Sequence, residues 1–290
     1  MGRWFATFLK RNGYRVIISD KNRSAARKLT HKNGFRLAED QLKAAQSAQL
    51  VILATPTQVT KKILEEIAPY LSRTLLVEIS SVKEPLRKKI QQLQKRGIAI
   101  LSIHPLFGPG AETLQGRTVL AVSIPPRNAS ATKLLTLMKQ RGARIIPCDF
   151  NEHENLASIL LSLPHFINMA LVSTLRSMAV DPNRLREAGG STFKLQLLIA
   201  EAVHDEDLGN EISILADNKR SLHSLRLFAQ QSNAILRMVE RREREDMLRT
   251  LINGRRYVRR DEAFASAYSR FNAAVEVSGF AEHHPIASSR

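Results

Sequence analysis

The sequence predicts an α/β fold: a doubly wound parallel sheet over residues 1–150, followed by an all-α helical domain over 151–252. Two patterns carry that prediction. Six short apolar runs alternate with amphipathic stretches through the first half, and strands buried on both faces, separated by helices, form a parallel sheet covered on each side. After about residue 150 the strand runs stop, and residues 152–178, 183–203 and 208–251 are helical in pattern. With 290 residues, 43% of them hydrophobic and 24% charged, the chain is globular in composition and able to bury a sizeable core.

The elements follow in order. Residues 3–12 place Trp4, Phe5, Phe8 and Leu9 on one helical stripe, which Gly13 stops. Residues 15–20 read as a buried strand ending in Asp20. The later strands are 50–54, closed by Thr55-Pro56, then 75–79, 98–103, 118–124 and 143–147. Helical patterns over 59–68, 85–95 and 131–141 fill the gaps. In the second half, Pro164 predicts a kink, and 241–246 a solvated face of mixed charge. Residues 253–290 read as a short helical piece and a frayed basic tail containing His283 and His284.

Composition narrows the function. The single cysteine, Cys148, excludes a disulfide framework and a cysteine-built zinc site, so no metal is expected. No uninterrupted apolar run approaches the ~18 residues of a membrane span, and no apolar signal segment opens the chain; a soluble, cytoplasmic protein without a membrane partner is expected. The net charge of +17 lies wholly in residues 1–150, which hold 26 of the 44 Lys+Arg and 9 of the 27 Asp+Glu. Such a half-chain suits nucleic acid or small polyanions such as dinucleotides and dicarboxylates. Its basic residues are spread over helix faces, as at 23–28 and 87–89, without interleaved aromatics, so no specific nucleic-acid partner is expected.

Gly2 opens the first helix, and Asp20 ends a strand 18 residues later. In a dinucleotide-binding βαβ unit, the last glycine of G-x-G-x-x-G lets the helix pack on the strand. An acid about 20 residues on takes the ribose 2′-hydroxyl. The chain begins at that last glycine. The Rossmann-like sheet is therefore expected to be N-terminally incomplete, lacking its central strand and two earlier glycines, with either a start further upstream or another repair of the gap. Asp20 favours NAD, since a carboxylate repels a 2′-phosphate; Lys21, Asn22 and Arg23 keep NADP open.

Four segments together resemble one family. They are M-G-R-W-F at 1–5, L-V-E-I-S-S-V-K at 76–83, H-P-L-F-G-P at 104–109, and E-H-E at 152–154 with L-P-H-F at 163–166. They resemble the prephenate dehydrogenases, which oxidise and decarboxylate prephenate to 4-hydroxyphenylpyruvate in tyrosine synthesis. The resemblance runs from residue 1 to about 250. It implies that His104 is catalytic and that Ser81 orients the histidine or the substrate hydroxyl. It also implies that His153 and His165 line the substrate pocket, and that Thr55, Pro56 and Ser80 lie beside the cofactor with Gly2 and Asp20. Lys194 stands where the family carries an arginine for the dicarboxylate substrate, keeping the charge and losing the bidentate fork. Lys83 is expected either to pair with a substrate carboxylate or to face water.

The chemistry stands on its own terms. The ring hydroxyl of prephenate loses its proton as hydride leaves the same carbon, and a neutral imidazole at a sheet's carboxyl edge is a suitable acceptor near pH 7. The resemblance also implies a homodimer through the helical half. Alternatives remain open: an arogenate dehydrogenase, a non-catalytic remnant of the family, or a basic nucleic-acid-binding protein.

Overall fold

The structure is a computed structural model and describes residues 1–71, 73–205 and 207–278; the tail histidines His283 and His284 lie outside them. The chain forms two compact units. One is Met1–Ser162 with Gly209–Leu222; the other is Leu163–Leu208 with the described residues from His223 onward.

The first unit runs α1 (Gly2–Arg11), β1 (Ile17–Ile18), α2 (Arg23–Asn33), β2 (Arg36–Leu37), α3 (Gln41–Gln46), β3 (Leu50–Leu53) and α4 (Thr57–Ile67). It continues with β4 (Leu75–Glu78), α5 (Glu84–Lys95), β5 (Ile100–Pro105), β6 (Thr118–Ser123), α6 (Ala129–Gln140), β7 (Arg144–Pro147) and α7 (Phe150–Ala157). Five strands form one sheet in the order β3-β4-β5-β6-β7, while β1 and β2 pair parallel in a separate two-stranded sheet. Side-chain alternation gives the five-stranded sheet two apolar faces. Leu75, Val77, Leu101, Ile103 and Val119 face Phe5 and Leu9 of α1 and Leu134 and Met138 of α6. Leu76, Ile100 and Leu120 face Leu64 of α4 and Leu86, Ile90 and Leu93 of α5. Each such side chain contributes roughly 1.5–3 kcal/mol on burial. The doubly wound α/β arrangement is therefore present.

Two details depart from the expected sheet. β6 runs antiparallel to β5, with a register irregularity at Ser102/Ile103. The connection between them holds no helix, and a parallel return needs a crossover, usually helical. β1 covers only Ile17 and Ile18 of the run expected over 15–20, because it pairs with β2 alone. Between the two sheets lies an open groove of about 1560 Å³, lined by Val16, Ile17, Ile18, Leu50, Val51 and Ile52 together with the face of α1. Ile17 is 40% exposed as a result. The groove separates β1 from β3, which belong to different sheets.

Local chemistry explains the shorter elements, of which β2 and α3 were not read from the sequence and α2 only as a basic helix face at 23–28. The Asn22 side chain caps α2 by accepting from Ala25 N–H, and Gly34 ends that helix at φ 61°, the left-handed conformation that glycine adopts without strain. Asp40 caps α3 through the amides of Leu42 and Lys43.

The helical stretch expected over 152–178 is α7, a π turn at Ser158–Ser162, and α8 (Leu163–Ser177). The break falls beside Pro164, which has no N–H to continue the ladder. Phe150–Ser177 is long and apolar enough to cross a membrane by length and composition alone. It nevertheless buries His153, Glu154, His165 and Asn168. In the second unit, Gly189 and Gly190 divide the stretch expected over 183–203 into α9 (Pro182–Ala188) and α10 (Ser191–His204). Then follow α11 (Leu208–Ala216), which lies almost wholly in the first unit, α12 (Ser221–Glu240), α13 (Arg244–Val258), a 3-10 turn at Glu262–Ser266 and α14 (Ala267–Val277). Within this unit Phe166 meets Phe228 edge to face, and Gln196 donates to Asn168 at 2.8 Å.

Candidate active site

β3, β4 and β5 are parallel neighbours, so their carboxyl ends share one edge of the sheet. That edge carries Thr55 and Pro56 after β3, Ser80 and Ser81 after β4, and His104 near the end of β5. The register pairs Glu78 with Ser102. Two residues further along each strand, on the same face, stand Ser80 and His104. The polar groups thus emerge together from two otherwise apolar strands.

His104 is 3% exposed, and its Nδ1 lies 2.9 Å from His153 Nε2. His153 Nδ1 lies 3.0 Å from Glu154 Oε1, which also accepts the backbone N–H of Lys83 at 3.0 Å. α7 supplies His153 and Glu154. Its start is fixed by Asp149, whose carboxylate caps the amides of Asn151 and Glu152. The Asn218 amide donates to the Glu154 carbonyl oxygen at 2.9 Å, tying the returning segment to α7. Burial pushes the His104 imidazole well below its ordinary pKa, and the nearness of a second imidazole, His153, and of the Lys83 ammonium pushes it the same way. Burial also lowers His153, against the pull of its hydrogen bond to Glu154. Both rings are neutral near pH 7. His104 Nε2 has no hydrogen-bond partner among the described residues, and the ring can accept a proton there.

Beneath His104 sits a buried ion pair. Lys83 is fully buried; its Nζ donates to Glu78 Oε1 at 2.7 Å and to the Ile103 carbonyl at 2.6 Å. Glu78 also accepts from Ser102 Oγ and, at 3.0 Å, from Ser80 N–H. Burial lowers the Lys83 pKa against the opposing pull of Glu78. This corrects the sequence expectation for Lys83, which neither faces water nor offers a free cation to a carboxylate, because Glu78 satisfies it inside the sheet. Ser81 is half-buried and makes no hydrogen bond to His104, whose Nδ1 is taken by His153. His153 was read as lining a substrate pocket; it meets the other histidine directly. Glu78, Ser102 and Asn218 were not singled out from the sequence, and Glu154 was quoted only as the end of E-H-E at 152–154, with no role. The available signal for Glu78 was an acid inside the apolar run 75–79.

The remaining candidates fall elsewhere. A Cβ on Gly2 would stand 3.4 Å from the Ala54 side chain, so α1 begins in close contact with the residue after β3. Asp20 follows β1, and its carboxylate accepts Asn22 N–H at 2.8 Å. The Thr55 hydroxyl bonds that of Thr60 at 2.8 Å. The Ser80 hydroxyl is buried without a partner, a polar atom that awaits a ligand or water. A helix start, an acid after β1 and an orphan hydroxyl at the β4 edge suit a dinucleotide. His165 and Lys194 belong to the second unit. His165 is buried with Nδ1 unpartnered, and Lys194 is half-buried without an ion-pair partner among the described residues. Glu201 on the same helix as Lys194 is paired with Arg186.

Comparison with known proteins bears on this arrangement. The family description "Prephenate dehydrogenase, nucleotide-binding domain" matches residues 5–146, and "Prephenate dehydrogenase, dimerization domain" matches 149–253. A probable arogenate/prephenate dehydrogenase of Methanocaldococcus jannaschii is 26% identical over 256 residues, covering 87% of this chain and 57% of that protein. A T-protein of Haemophilus influenzae is 25% identical, covering 86% of this chain and 62% of its own length. The chain thus spans about three fifths of these relatives. Among solved structures, Aquifex aeolicus prephenate dehydrogenase in complex with hydroxyphenyl propionate and NAD+ has a TM-score of 0.72 at 20% identity, covering 90% of this chain and 94% of that one. Synechocystis arogenate dehydrogenase has a TM-score of 0.65 at 20% identity, covering 88% and 95%. At that identity the structural likeness speaks for the fold.

Proposed function

The chain belongs to the prephenate dehydrogenase family, and from that premise we propose that it oxidises and decarboxylates prephenate to 4-hydroxyphenylpyruvate, with arogenate as the alternative substrate. The observation that carries this reading is the buried, neutral His104 at the carboxyl edge of the sheet, with Nε2 free of any described partner.

A nicotinamide dinucleotide, when bound, supplies the acceptor for the substrate's hydride. Gly2 at the start of α1, Asp20 after β1, and Thr55, Pro56 and Ser80 along the strand ends are the residues that would hold it. Asp20 favours NAD, because a carboxylate repels a 2′-phosphate, with NADP as the alternative through Lys21, Asn22 and Arg23.

His104 accepts the proton of the ring hydroxyl at Nε2 as the electron pair of the O–H bond becomes the second bond of a carbonyl. Loss of carbon dioxide returns an electron pair to the ring, and the ring oxygen, now phenolic, takes the proton back from His104. The base is regenerated, and no net proton is released. Lys194 is the proposed cation for a substrate carboxylate, His165 a further polar contact, and Ser81 a hydroxyl beside the reacting carbon. We read the chain as a homodimer through its helical unit, in keeping with the dimerization-domain match.

The test is direct. The purified chain is mixed with NAD+ and either prephenate or arogenate, and absorbance at the reduced-nicotinamide band is followed together with released carbon dioxide. Equal yields of the two products support the reading, and the faster substrate identifies the preference. Absence of both products with both substrates rejects it.

A further inference from the structure

The hydrogen bonds around His104 do more than hold the ring. They form a connected series: Lys83 backbone N–H donates to Glu154 Oε1 at 3.0 Å, His153 Nδ1 lies 3.0 Å from the same oxygen, and His104 Nδ1 lies 2.9 Å from His153 Nε2. A carboxylate has only lone pairs to offer, so the hydrogen between Glu154 and His153 sits on Nδ1 of His153. A neutral imidazole carrying its hydrogen on one nitrogen has a lone pair on the other. His153 Nε2 is therefore an acceptor, and the hydrogen between the rings belongs to His104 Nδ1. The same rule, applied once more, leaves His104 Nε2 bare.

We propose that Glu154 and His153 are positioning residues that set the tautomer of His104, so that its exposed nitrogen meets the substrate as a base and never as a donor. The inference rests on the dehydrogenase reading above and deepens it. The opposite tautomer would point an N–H at the hydroxyl whose proton must leave. When His104 takes that proton and becomes an imidazolium, the Glu154 carboxylate stands two hydrogen bonds away, and its charge opposes the new positive one through His153.

The arrangement is held from several sides. The Asn218 amide fixes the Glu154 carbonyl at 2.9 Å. Asp149 fixes the first turn of α7. The Lys83 amide is itself fixed, because the Lys83 side chain is anchored on Glu78 and Ile103. Glu154 Oε2 is buried without a partner, so the carboxylate's hydrogen bonds run through Oε1, toward His153 and Lys83. Titratable or charged groups near the two rings are Glu154 on α7, with Lys83 and Glu78 from the β4 edge.

The test reads the tautomer without turnover. Histidine labelled with ¹⁵N is incorporated into the protein, and long-range ¹H–¹⁵N correlations are recorded near pH 7.5. The two rings are assigned from the signals lost in His104→Gln and His153→Gln. The expected result is His104 protonated at Nδ1 and bare at Nε2. His153→Leu removes the acceptor, so the His104 hydrogen moves to Nε2 and kcat falls ~10²-fold, with KM for NAD+ nearly unchanged. In His153→Gln the amide oxygen reaches the place of Nε2, which restores the tautomer and most of kcat. A wild-type His104 protonated at Nε2 overturns the proposal, and so does a tautomer unmoved by His153→Leu. Should His153→Leu fail to fold, the wild-type spectrum and the Gln variant still decide. The expected tautomer in a chain that reduces no nicotinamide would reject the reaction assigned above while leaving this arrangement supported.

Discussion

Lys83 and Glu78 face each other at 2.7 Å with neither side chain touching water. Such a pair contributes little net stability when complete, and leaves an uncompensated buried charge when one partner is removed. Lys83→Met is expected to cost about 3–5 kcal/mol by urea denaturation, and adding Glu78→Gln to recover part of it; a loss under 1 kcal/mol would contradict the account. The histidines give a pH dependence. Both His104 and His153 are held below the ordinary imidazole value of 6.5, so below that pH the unfolded chain binds protons that the folded chain refuses. Their contribution is present in full above about pH 6.5 and is lost as the pH falls from there through the lower folded-state values. The thermal midpoint should therefore drop between pH 7 and 5, and less steeply in His104→Asn; parallel curves would contradict it. At this scale His104 was legible, because a histidine ending an apolar run and followed by P-L-F-G-P marks a loop at a strand's edge. Its tie to His153 was not, since 49 residues separate them and only the placement of α7 over the sheet brings them together. The fate of Lys83 depended likewise on an acid five residues away turning to the same face.

The strands of the five-stranded sheet were read close to their observed limits, because continuous apolar runs between glycine, proline and polar clusters admit few other readings. The reversal of β6 was not legible. Strand direction leaves no trace in a run such as 118–124, and only the helix-free connection before it decides the matter. α3 has six residues and β2 two, too short to show a period. The open groove is the chief feature at this scale. β1 and β3 turn edges toward it, and apolar Ile17, Val51 and Ile52 line it. A short peptide of five or six apolar, β-forming residues is expected to pair with both edges. About 1 kcal/mol moves the thermal midpoint by roughly 2–4 °C in a protein of this size, so the peptide at saturation should raise the midpoint by several degrees. An unchanged midpoint would show that the groove does not take a strand.

Over the described residues, the net charge and most of the exposed large apolar side chains lie in different places. The net +17 belongs to residues 1–150. In the helical unit, by contrast, Leu227, Ile235, Leu236 and Val239 of α12 and Leu248 and Leu251 of α13 are exposed. Side chains of this kind on neighbouring helices suit association between copies. Light scattering at micromolar concentration should give twice the mass of one chain, and Leu236→Glu with Leu251→Glu should give a single chain; a monomeric wild type would contradict the dimer. The change from strands to helices near residue 150 was legible in the loss of strand runs, while the compact units divide later, at Ser162/Leu163, because α7 packs with the first unit. The return of Gly209–Leu222 to the first unit was not legible, because it rests on long-range contacts such as that of Asn218 with Glu154. The central claim is that a neutral His104 takes the hydroxyl proton while hydride leaves the same carbon. It is tested most directly by comparing kcat for prephenate-dependent NAD+ reduction between the wild-type chain and His104→Asn, with NAD+ binding measured in parallel. The account predicts a fall of ~10²-fold or more at nearly unchanged NAD+ affinity. Equal turnover in the two proteins would contradict it.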